Sequence, residues 1–512
     1  MQADLILAAG RVYSLGRAGL RPLSHLAVGS GVVLAVGGPE VMKLRVRGTR
    51  VLQLRGGAVL PGFNDAHAHV VYYGLTTFGV DLGGTASIGE LQERLRRGAA
   101  KLKPGEWLQG MGYRPAELAE RRAPSRLELD LAVGERPAFV DERGGHSRVA
   151  SSAALRAAGI DGSTADPPGG SIGRDASGRP DGRLLESAMR LVADVQPAPP
   201  LERRKLGILR AQRLLLSRGI TSVGAAVNRG FADDLRAYRQ LAGEGKLKLR
   251  VNEFLSWELL EAATRMGIDS GFGDGLLRAG PIKVFVDGGA SAGAAAIRGA
   301  GGTWRTPPDE LRRIFARADA GDLQVACHAV GDAAIEAVLD AVEALPRPGR
   351  LRHRIEHCTA CPPDLVARAA KLGVVAVMQP LFAAFKVRAG DAFPEHLQPH
   401  LGAHRDLLRA GVPLAFSSDL PVTPDPNPWP GLGAVRTDRE QGLTALAALR
   451  AYTSGGAFAS HEERVKGTLE PGRLADIQVY DGDPLTLDPS RWPGLRPRLV
   501  LLGGRPVYGT LR

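Results

Sequence analysis

Two hydrophobic periods alternate through most of the chain. Segments such as "PDELRRIFARADAG" and "DAAIEAVLDAVEAL" place apolar residues three and four positions apart, the spacing of one helix face. Each is followed by a short apolar run, "LQVACHA" and "RHRIEHC" respectively, and the alternation continues to "VPLAFSSD". Strand-like runs between helices predict βαβ units and a parallel sheet. Because no glycine-rich dinucleotide fingerprint follows any of these strands, the pattern favours a (β/α)8 TIM barrel over an open doubly wound sheet.

Both ends of the chain have the pattern of short β-strands instead. "ADLILAAGRVYSL" near the start and "GRLADIQVYDGDPL" and "PRLVLLGGRPVYG" near the end are apolar runs broken by Gly, Asp and Pro. We therefore predict that residues 1–60 and 465–512 pair into a composite β-sandwich domain. The barrel then occupies residues 61–464, between the two terminal segments.

One stretch of the central region interrupts the alternation. Residues from about 103 to 200 include "ADPPGGSIGRDASGRPDGRL", which is dense in Pro, Gly and Asp. Such a stretch is typical of a long loop-rich segment rather than of another βα unit. We predict a lid-like insertion over the barrel mouth.

Length and composition agree with this organisation and limit the partners. At 512 residues the chain is long enough for a barrel with an accessory domain, and its net charge of +12 is scattered along predicted helix faces. We therefore expect no nucleic-acid partner. No apolar run is long enough for a membrane-spanning helix, and the start lacks the pattern of a signal peptide. With only three cysteines, the chain is predicted to be cytoplasmic, without a membrane partner, and is compatible with a homo-oligomer.

The stretch "PGFNDAHAHV" contains two histidines, His67 and His69, separated by one alanine. Residues two apart in a strand point to the same face, so both imidazoles project together. Imidazole is the commonest metal ligand among side chains. For this motif alone, the alternative is a pair of histidines in a buried strand whose ring nitrogens only form hydrogen bonds within the protein.

Three more potential ligands lie at the ends of later strand-like runs. His328 follows the apolar part of "LQVACHA", His357 that of "RHRIEHC", and Asp419 that of "VPLAFSSD". In a TIM barrel the C-terminal ends of the strands form the catalytic face, so separate strands would deliver these residues to one rim. Imidazole and carboxylate ligands suit zinc or a similar transition metal. The sequence therefore predicts a metal site.

Lys283 lies among the strand residues of "GPIKVFVDGG". Burial there would lower the pKa of its amine and leave the amine nucleophilic. Such an amine can take up carbon dioxide as a carbamate, an anion able to bridge two metal ions. An ordinary lysine at a strand end, or a cation that binds substrate, is the alternative.

Six motifs in this order resemble the amidohydrolase superfamily, and specifically its YtcJ-like branch, to which N-substituted formamide deformylase belongs. They are "PGFNDAHAHV", "IKVFVDGG", "HAVGDAA", "RIEHC", "SSDLPV" and the tail "GTLEPGRLADIQVYDGDP". The resemblance runs nearly end to end. It implies a metal-dependent (β/α)8 barrel with a β-sandwich built from both termini.

The resemblance also implies a role for each candidate residue, in a site for two divalent metal ions such as zinc. His67 and His69 become ligands of the first metal, and His328 and His357 become ligands of the second. Lys283 becomes a carboxylated bridge between the two metals. Asp419 becomes a metal ligand and proton shuttle.

The implied reaction is hydrolysis of the non-peptide C–N bond of a small-molecule amide. A hydroxide formed from water at the metal would attack the carbonyl carbon, while Asp419 would pass the water proton to the departing amine. We expect His146, in "ERGGHS", to hydrogen-bond the substrate or the tetrahedral intermediate, unless it only stabilises its loop. Asp287 and Asp332 are expected to orient the ligands rather than to react.

Three departures from the pattern of the branch bear on substrate identity, one being that "TSVGAAV" lacks the acidic or histidine residue often present after that strand. The other two are at single positions outside the predicted ligands. Where the branch commonly reads "GHxxxxNSxAL", this chain has "GHSRVASSAAL", with Ser151 at the Asn position. Where the branch often has "DGS", this chain has Gly289. Neither position is a predicted metal ligand, so the chemistry is unaffected while the substrate stays open.

Two other functions remain as alternatives. Deamination of a heterocycle could use the same activated water at a mononuclear site, which would not need Lys283 as a bridge. A non-catalytic binding protein could retain the barrel and use its +12 charge to attract an anionic partner.

Overall fold

The computed structural model describes residues 2–227, 231–385 and 393–511. Strands and helices alternate through most of these ranges. The strands, numbered in chain order, are β1 (Leu5–Ala8), β2 (Arg11–Val12), β3 (His25–Gly29), β4 (Val32–Gly37), β5 (Arg50–Gln53), β6 (Ala58–Pro61), β7 (Phe63–Ala68), β8 (Val80–Asp81), β9 (Leu108–Tyr113), β10 (Ala138–Glu142), β11 (Ser147–Ala150), β12 (Gly170–Arg174), β13 (Pro180–Glu186), β14 (Ile220–Ala225), β15 (Arg250–Ser256), β16 (Leu277–Phe285), β17 (Val325–Ala329), β18 (Arg354–His357), β19 (Val375–Met378), β20 (Leu414–Phe416), β21 (Ile477–Tyr480), β22 (Leu499–Leu502) and β23 (Arg505–Gly509).

The α-helices of the described ranges are numbered in the same way. They are α1 (Val70–Thr76), α2 (Ile88–Ala99), α3 (Arg126–Val133), α4 (Ser152–Ala157), α5 (Met189–Ala193), α6 (Leu201–Ser217), α7 (Phe231–Gly243), α8 (Leu260–Arg265), α9 (Pro308–Ala320), α10 (Asp332–Glu343), α11 (Pro363–Leu372), α12 (His404–Arg409), α13 (Pro428–Thr437), α14 (Ala445–Arg450) and α15 (Gly456–Ala459). None of them combines the length and the apolar character that crossing a bilayer would require.

Strands β7 and β14 to β20 form one parallel sheet, in which each strand pairs with the next along the chain. Two backbone hydrogen bonds connect its last strand to its first. The amide of Asp419, just after β20, donates to the His67 carbonyl at 2.9 Å, and the His69 amide donates to the Leu420 carbonyl at 2.8 Å. The predicted (β/α)8 TIM barrel is therefore confirmed.

Helix α9 shows how the sequence pattern produces the outer layer of the barrel. Pro308 begins the helix, and acidic residues in its first turn favour the positive end of the helix dipole. Its buried residues recur at helical spacing and pack toward the sheet: Leu311, Ile314, Phe315 and Ala318. Burial of such a stripe supplies most of the stability of a surface helix.

Both termini contribute strands to two adjoining sheets. The first has the order β4-β3-β1-β5, and the second has the order β2-β6-β21-β22-β23, so the second combines strands from the two ends of the chain. Leu5 and Leu7 of the first sheet pack with Ile477 and Leu499 of the second in one core. The β-sandwich built from both termini is confirmed, while its boundaries at residues 60 and 465 stay predictions.

A third, six-stranded sheet has the order β12-β13-β11-β10-β9-β8. It includes β8 at Val80–Asp81, and helix α2 packs on it through Leu91 and Leu95. The sheet thus reaches further back along the chain than residue 103, where the loop-rich composition begins. Tyr72 in α1 donates to Asp141 in β10 at 3.1 Å, which connects this sheet to the helix that follows β7 of the barrel.

Candidate metal centre

The predicted ligands come from five barrel strands or from the residues just beyond them. His67 lies in β7 and His69 follows it, Lys283 lies in β16, and His328 lies in β17. His357 ends β18, and Asp419 lies three residues beyond β20. All six are buried, with His69 the most exposed at 9%. Because the strands are parallel, their C-terminal ends bring these side chains to one rim.

Strand β7 is not a regular strand at the two histidines. Its register against β14 shifts between Asp65 and Ala68, the sign of a β-bulge. Ala66 packs in one cluster with Val375, whereas Ala68 packs in the large core cluster on the helix side. In a regular strand these two alanines would share a face. Bulges commonly redirect side chains next to active sites, and here the bulge lies beside His67.

His67, His69 and Asp419 form a compact triad. One potential ligand atom from each lies within 4.8 Å of the others. Asp419 Oδ1 is 3.4 Å from His69 Nε2 and 3.7 Å from His67 Nε2. These separations leave room for one metal ion among the three atoms.

His328 and His357 form a second pair beside this triad. Their ring centroids are 4.6 Å apart, and the His357 ring is 5.4 Å from the His67 ring. His357 Nδ1 is 4.0 Å from Asp419 Oδ2. The pair therefore adjoins the triad through His357 and Asp419.

Lys283 contributes a buried amine to the same interior. Within the described part of the chain its Nζ has no hydrogen-bond partner, and it lies 4.8 Å from the centroid of the Phe285 ring. Burial lowers the pKa of Lys283 to about 8, although Glu356 and Asp419 oppose that shift. A larger share of the amine is then unprotonated near neutral pH than for an exposed lysine.

Four of the candidate ligand atoms are buried without a hydrogen-bond partner among the described residues: His67 Nε2, Lys283 Nζ, His328 Nε2 and Asp419 Oδ1. A buried polar atom left unpaired costs free energy, so a cluster of them indicates a missing partner. Nitrogen and carboxylate donors are suitable ligands for zinc and related divalent metals. The residues fit a metal centre.

The protonation states also favour metal binding. Burial lowers the pKa of His67, His328 and His357, so each imidazole is held in the neutral form that binds metals. Burial would raise the pKa of Asp419, but the surrounding imidazoles, first that of His69, lower it. A neutral imidazole and an ionised carboxylate are the ligand forms of these side chains.

Glu356 is a functional residue that the sequence reasoning missed. Its Oε2 is 2.5 Å from His67 Nδ1, and Arg354 donates to Glu356 through Nε at 2.7 Å and Nη2 at 3.0 Å. Glu356 therefore fixes the His67 ring, and Nε2 is the ring nitrogen that could bind a metal. The signal was present in "RHRIEHC", since two charged residues alternate with Ile355 in a buried strand.

Two further partners orient the other histidines. His69 Nδ1 is 3.1 Å from the carbonyl oxygen of Ala226, which follows β14. His357 Nδ1 is 2.9 Å from Gln379 Oε1, and Gln379 Nε2 donates to Ser417 Oγ at 2.9 Å. In both cases the Nδ1 atom is engaged, and Nε2 is the ring nitrogen that could bind a metal. Gln379 was also missed, and its only signal was a polar residue at the end of an apolar strand.

Asp287 lies in the loop after β16, and Asp332 is the first residue of α10. Asp287 accepts backbone N–H groups from Ala296, Val330 and Gly331, and its Oδ1 is 3.7 Å from His328 Nε2. Asp332 instead accepts the Arg298 amide at 3.0 Å, at the start of α10. Asp287 therefore adjoins a candidate ligand, whereas the hydrogen bonds of Asp332 organise a neighbouring loop.

His146 reaches the site from the six-stranded sheet. Its ring centroid is 5.2 Å from that of His328, and its Nδ1 is 2.9 and 3.0 Å from the two carboxylate oxygens of Glu186. The structure thus brings His146 beside the candidate ligands. Glu186, in β13, was not predicted.

Two of the candidate ligands have unusual backbone conformations. His357 has a φ of 73° and Asp419 a φ of 55°, in the left-handed region that residues other than glycine rarely adopt. Such conformations cost energy and cluster at functional sites. His357 ends β18 and Asp419 lies shortly after β20. The unusual backbone at both positions agrees with a site that holds their side chains in fixed positions.

Comparison with known proteins adds independent evidence. Residues 50–508 match the model of the amidohydrolase family. The chain is 26% identical to the putative amidohydrolase YtcJ of Bacillus subtilis, with 98% of each protein covered. It is 30% identical to the N-substituted formamide deformylase of Arthrobacter pascens, with 89% of this chain and 90% of that protein covered.

A solved structure is similar over nearly the whole chain. An uncharacterised metal-dependent hydrolase from Pyrococcus horikoshii aligns with a TM-score of 0.78 and 29% sequence identity, covering 95% of this chain and 99% of that chain. The similarity therefore includes the barrel and both terminal segments.

Proposed function

Because this chain belongs to the amidohydrolase family, we propose that it hydrolyses the C–N bond of a small-molecule amide in a metal-dependent reaction. One observation supports the proposal: candidate ligand atoms of four residues lack a hydrogen-bond partner in the described part of the chain and lie at the C-terminal rim of the barrel, on His67, Lys283, His328 and Asp419. The similarity to N-substituted formamide deformylase supports an amide as the substrate class.

The candidate ligands would hold two divalent metal ions, with zinc as the proposed metal. His67 and His69 would bind the first ion, and His328 and His357 the second. Lys283, carboxylated on Nζ, would bridge them, and Asp419 would be a further ligand. When bound, such ions lower the pKa of water and polarise a carbonyl oxygen.

Asp419 is suited to move the proton in this reaction. Its ionised carboxylate lies among His67, His69 and His357, where it can accept a proton from the attacking water. Addition of the water oxygen to the carbonyl carbon forms the C–O bond and gives a tetrahedral intermediate. The C–N bond then breaks as Asp419 passes the proton to the departing nitrogen. The products are a carboxylic acid and an amine.

His146 would bind the substrate from its position beside His328. Its Nδ1 is engaged by Glu186, so Nε2 is the ring nitrogen left for the carbonyl or the tetrahedral intermediate. Such a group contributes by orienting the reacting bond and stabilising developing charge.

The test combines metal analysis with a panel of N-acyl and N-formyl amines assayed for amine release. We expect two zinc ions per chain, and turnover that is lost on chelation and restored by zinc. His67→Gln should abolish both properties, whereas His25→Gln, at a buried histidine of β3 outside the barrel, should retain them. A metal-loaded protein that releases amine from no member of the panel would refute amide hydrolysis.

The bridging role of Lys283 needs a separate measurement. We expect Lys283→Ala to lower the metal content from two ions to one or none and to abolish turnover. Activity of the native protein reconstituted with zinc should also depend on bicarbonate, because the carbamate forms from carbon dioxide. Unchanged metal content and activity in Lys283→Ala would rule out the bridge.

A second function, deamination of a heterocycle, is favoured by one feature. The compact triad of His67, His69 and Asp419 could hold a single ion without Lys283. One metal per chain, together with ammonia release from heterocyclic amines, would support this alternative over amide hydrolysis.

A further inference from the structure

Glu186 lies at the centre of a small network beside the candidate metal centre. Its two carboxylate oxygens contact His146 Nδ1 at 2.9 and 3.0 Å, and its Oε1 also accepts the Gly289 amide at 2.9 Å. Arg305 Nη1 is 3.5 Å from Glu186 Oε2. The Glu186 side chain is only 2% exposed, so these groups replace nearly all of its contact with water.

The charge of Glu186 is maintained by the same contacts. Burial would raise the pKa of Glu186, but His146, Arg305 and the Gly289 amide outweigh burial and lower it. An ionised carboxylate can only accept hydrogen bonds, so the Nδ1 atom of His146 is the donor. This leaves Nε2 as the ring nitrogen that can face another group.

The backbone also connects Glu186 to His146. The Glu186 amide donates to the His146 carbonyl at 3.1 Å, which continues the pairing of β13 with β11. Glu186 has a φ of 50°, in the left-handed region that a glutamate rarely adopts. Such a conformation persists only where the surroundings determine it, and it turns the carboxylate toward His146.

Gly289 provides the space in which the His146 ring lies. A Cβ atom at position 289 would be 2.3 Å from His146 Cδ2 and 2.4 Å from its Cγ. Those distances are far shorter than a van der Waals contact, so any side chain there would displace the ring. The glycine at position 289 is therefore matched to the observed place of His146.

We propose that Glu186 is a positioning residue that fixes the ring of His146 with Nε2 toward the substrate beside His328, and that Gly289 makes this placement sterically accessible. The His146 ring is 5.2 Å from the His328 ring, close enough for a substrate bound at the metal centre to meet both. Arg305 holds the outer side of the network, with its guanidinium 4.3 Å from the centroid of Phe285. The proposal rests on the amide hydrolase function proposed above.

A double-mutant cycle on zinc-loaded enzyme tests the coupling, with the amide of the panel that is hydrolysed fastest. We expect Glu186→Ala and His146→Gln each to lower kcat by about 10- to 100-fold with a smaller change in KM, as loss of an orienting partner typically does. The double variant should be no slower than His146→Gln alone. Losses that multiply in the double variant, or a Glu186→Ala enzyme with native kcat, would overturn the proposal.

Two controls separate positioning from general damage. Asp181→Asn changes another carboxylate of β13, one that pairs with Arg183 at the surface, and should leave kcat and KM unchanged. Gly289→Ala should lower kcat as His146→Gln does, whereas Gly243→Ala, at a helix end with open space around it, should not. Native kcat in Gly289→Ala would contradict the proposed steric match.

A spectroscopic measurement decides the same point without turnover. In protein labelled with 15N-histidine, the signals of His146 are identified by their loss in His146→Gln. We expect them to show a proton held on Nδ1 in the native protein and a redistribution between the ring nitrogens in Glu186→Ala. Identical His146 signals in both proteins would overturn the proposal. Because no substrate is required, this result stands even where no amide of the panel is hydrolysed.

Discussion

Single side chains in the barrel centre acquire their chemistry from their surroundings. Burial lowers the pKa of Lys283 to about 8 and favours neutral His67, while the imidazoles around Asp419 favour its ionised form. For the imidazole and the carboxylate, the favoured form is the one that binds a metal, and for Lys283 it is the neutral amine that can take up carbon dioxide. An exposed lysine would stay protonated near neutral pH, so the reactivity of the Lys283 amine depends on its removal from water.

The first prediction concerns Asp419→Asn. The amide keeps the size of the side chain and can still act as a weak ligand, but it cannot carry the proton. We expect metal content near the native value and a loss of kcat of about 100- to 10,000-fold, the usual contribution of a general acid–base group. Metal analysis with single-turnover kinetics checks this. Turnover at the native rate would remove Asp419 from proton transfer.

The second prediction concerns Glu356→Gln. Loss of this carboxylate weakens the hold on His67 Nδ1 and leaves Arg354 without its ionic partner. We expect zinc affinity to fall by about 10- to 100-fold, because groups that orient a metal-binding histidine typically have this effect. Competition with a fluorescent chelator measures it.

Glu463→Gln provides the matched control for that measurement. Glu463 also forms a two-point pair with an arginine, at 2.9 and 3.0 Å from Arg352, but it lies outside the site. Its zinc affinity should equal that of the native protein. Equal losses in the two variants would show that any Arg–Glu pair has the same effect, and would exclude a specific role of Glu356.

Close packing between two helices helps to position His69, the residue between β7 and α1. Helix α1 begins at Val70, directly after His69, and crosses α6 where two glycines meet. A Cβ atom on Gly74 would lie 2.4 Å from the backbone of Gly207. Only glycine permits the two helices to approach this closely.

The third prediction follows from that crossing. We expect Gly74→Ala to lower the free energy of unfolding by about 1 to 3 kcal/mol, because the added methyl group forces the helices apart. It should also weaken metal binding through His69. Gly89→Ala, in α2 with only an ordinary contact at 3.7 Å, should change stability by no more than about 1 kcal/mol, in the stabilising direction. Urea unfolding of both variants checks the contrast.

One of the departures from the branch pattern is also explained by local structure. Ser151 begins α4 as its N-cap, since its Oγ accepts the Ala154 amide at 3.2 Å and the Ala138 amide at 3.0 Å. Serine is a favoured N-cap residue. Position 151 therefore supports the six-stranded sheet rather than contacting the candidate metal centre.

The barrel and the terminal β-sandwich are joined by a buried ion pair. Arg250, at the start of β15, donates to Asp476 through Nε at 2.6 Å and Nη2 at 2.9 Å. Asp476 Oδ1 also accepts the Gly503 amide at 2.8 Å. The side chains are 11% and 6% exposed, so when one partner is lost, water can hydrate little of the charge that remains.

The fourth prediction tests this junction. Asp476→Ala leaves a buried guanidinium unpaired, and we expect stability to fall by about 3 kcal/mol. The thermal unfolding midpoint should drop clearly in calorimetry. Glu261→Gln removes the partner of Arg317 in a pair whose side chains are 61% and 69% exposed, and its midpoint should stay at the native value. Equal shifts in the two variants would contradict the importance of burial.

The fold and much of the site could be predicted because they depend on features that lie along the chain. The alternation of two hydrophobic periods specifies βα units, and parallel strands bring their ends to one rim. His67, Lys283, His328 and Asp419 lie at such ends, so their meeting follows from the topology. The start of the six-stranded sheet at Val80 was not evident, since α2 has an ordinary helical pattern and only packing shows which sheet it covers.

The sequence alone specifies which residues reach the catalytic rim, and the tertiary structure decides how each is held. Glu356 contacts His67 across 289 positions of the chain, and Gln379 contacts His357 across 22. Glu186 engages His146 across 40 positions and from a different sheet. Periodicity describes neighbours within one strand or helix, whereas these contacts depend on how separate elements pack. The placement of the candidate ligands at one rim was therefore predictable from the chain, and the partners that orient them emerged only from the packing.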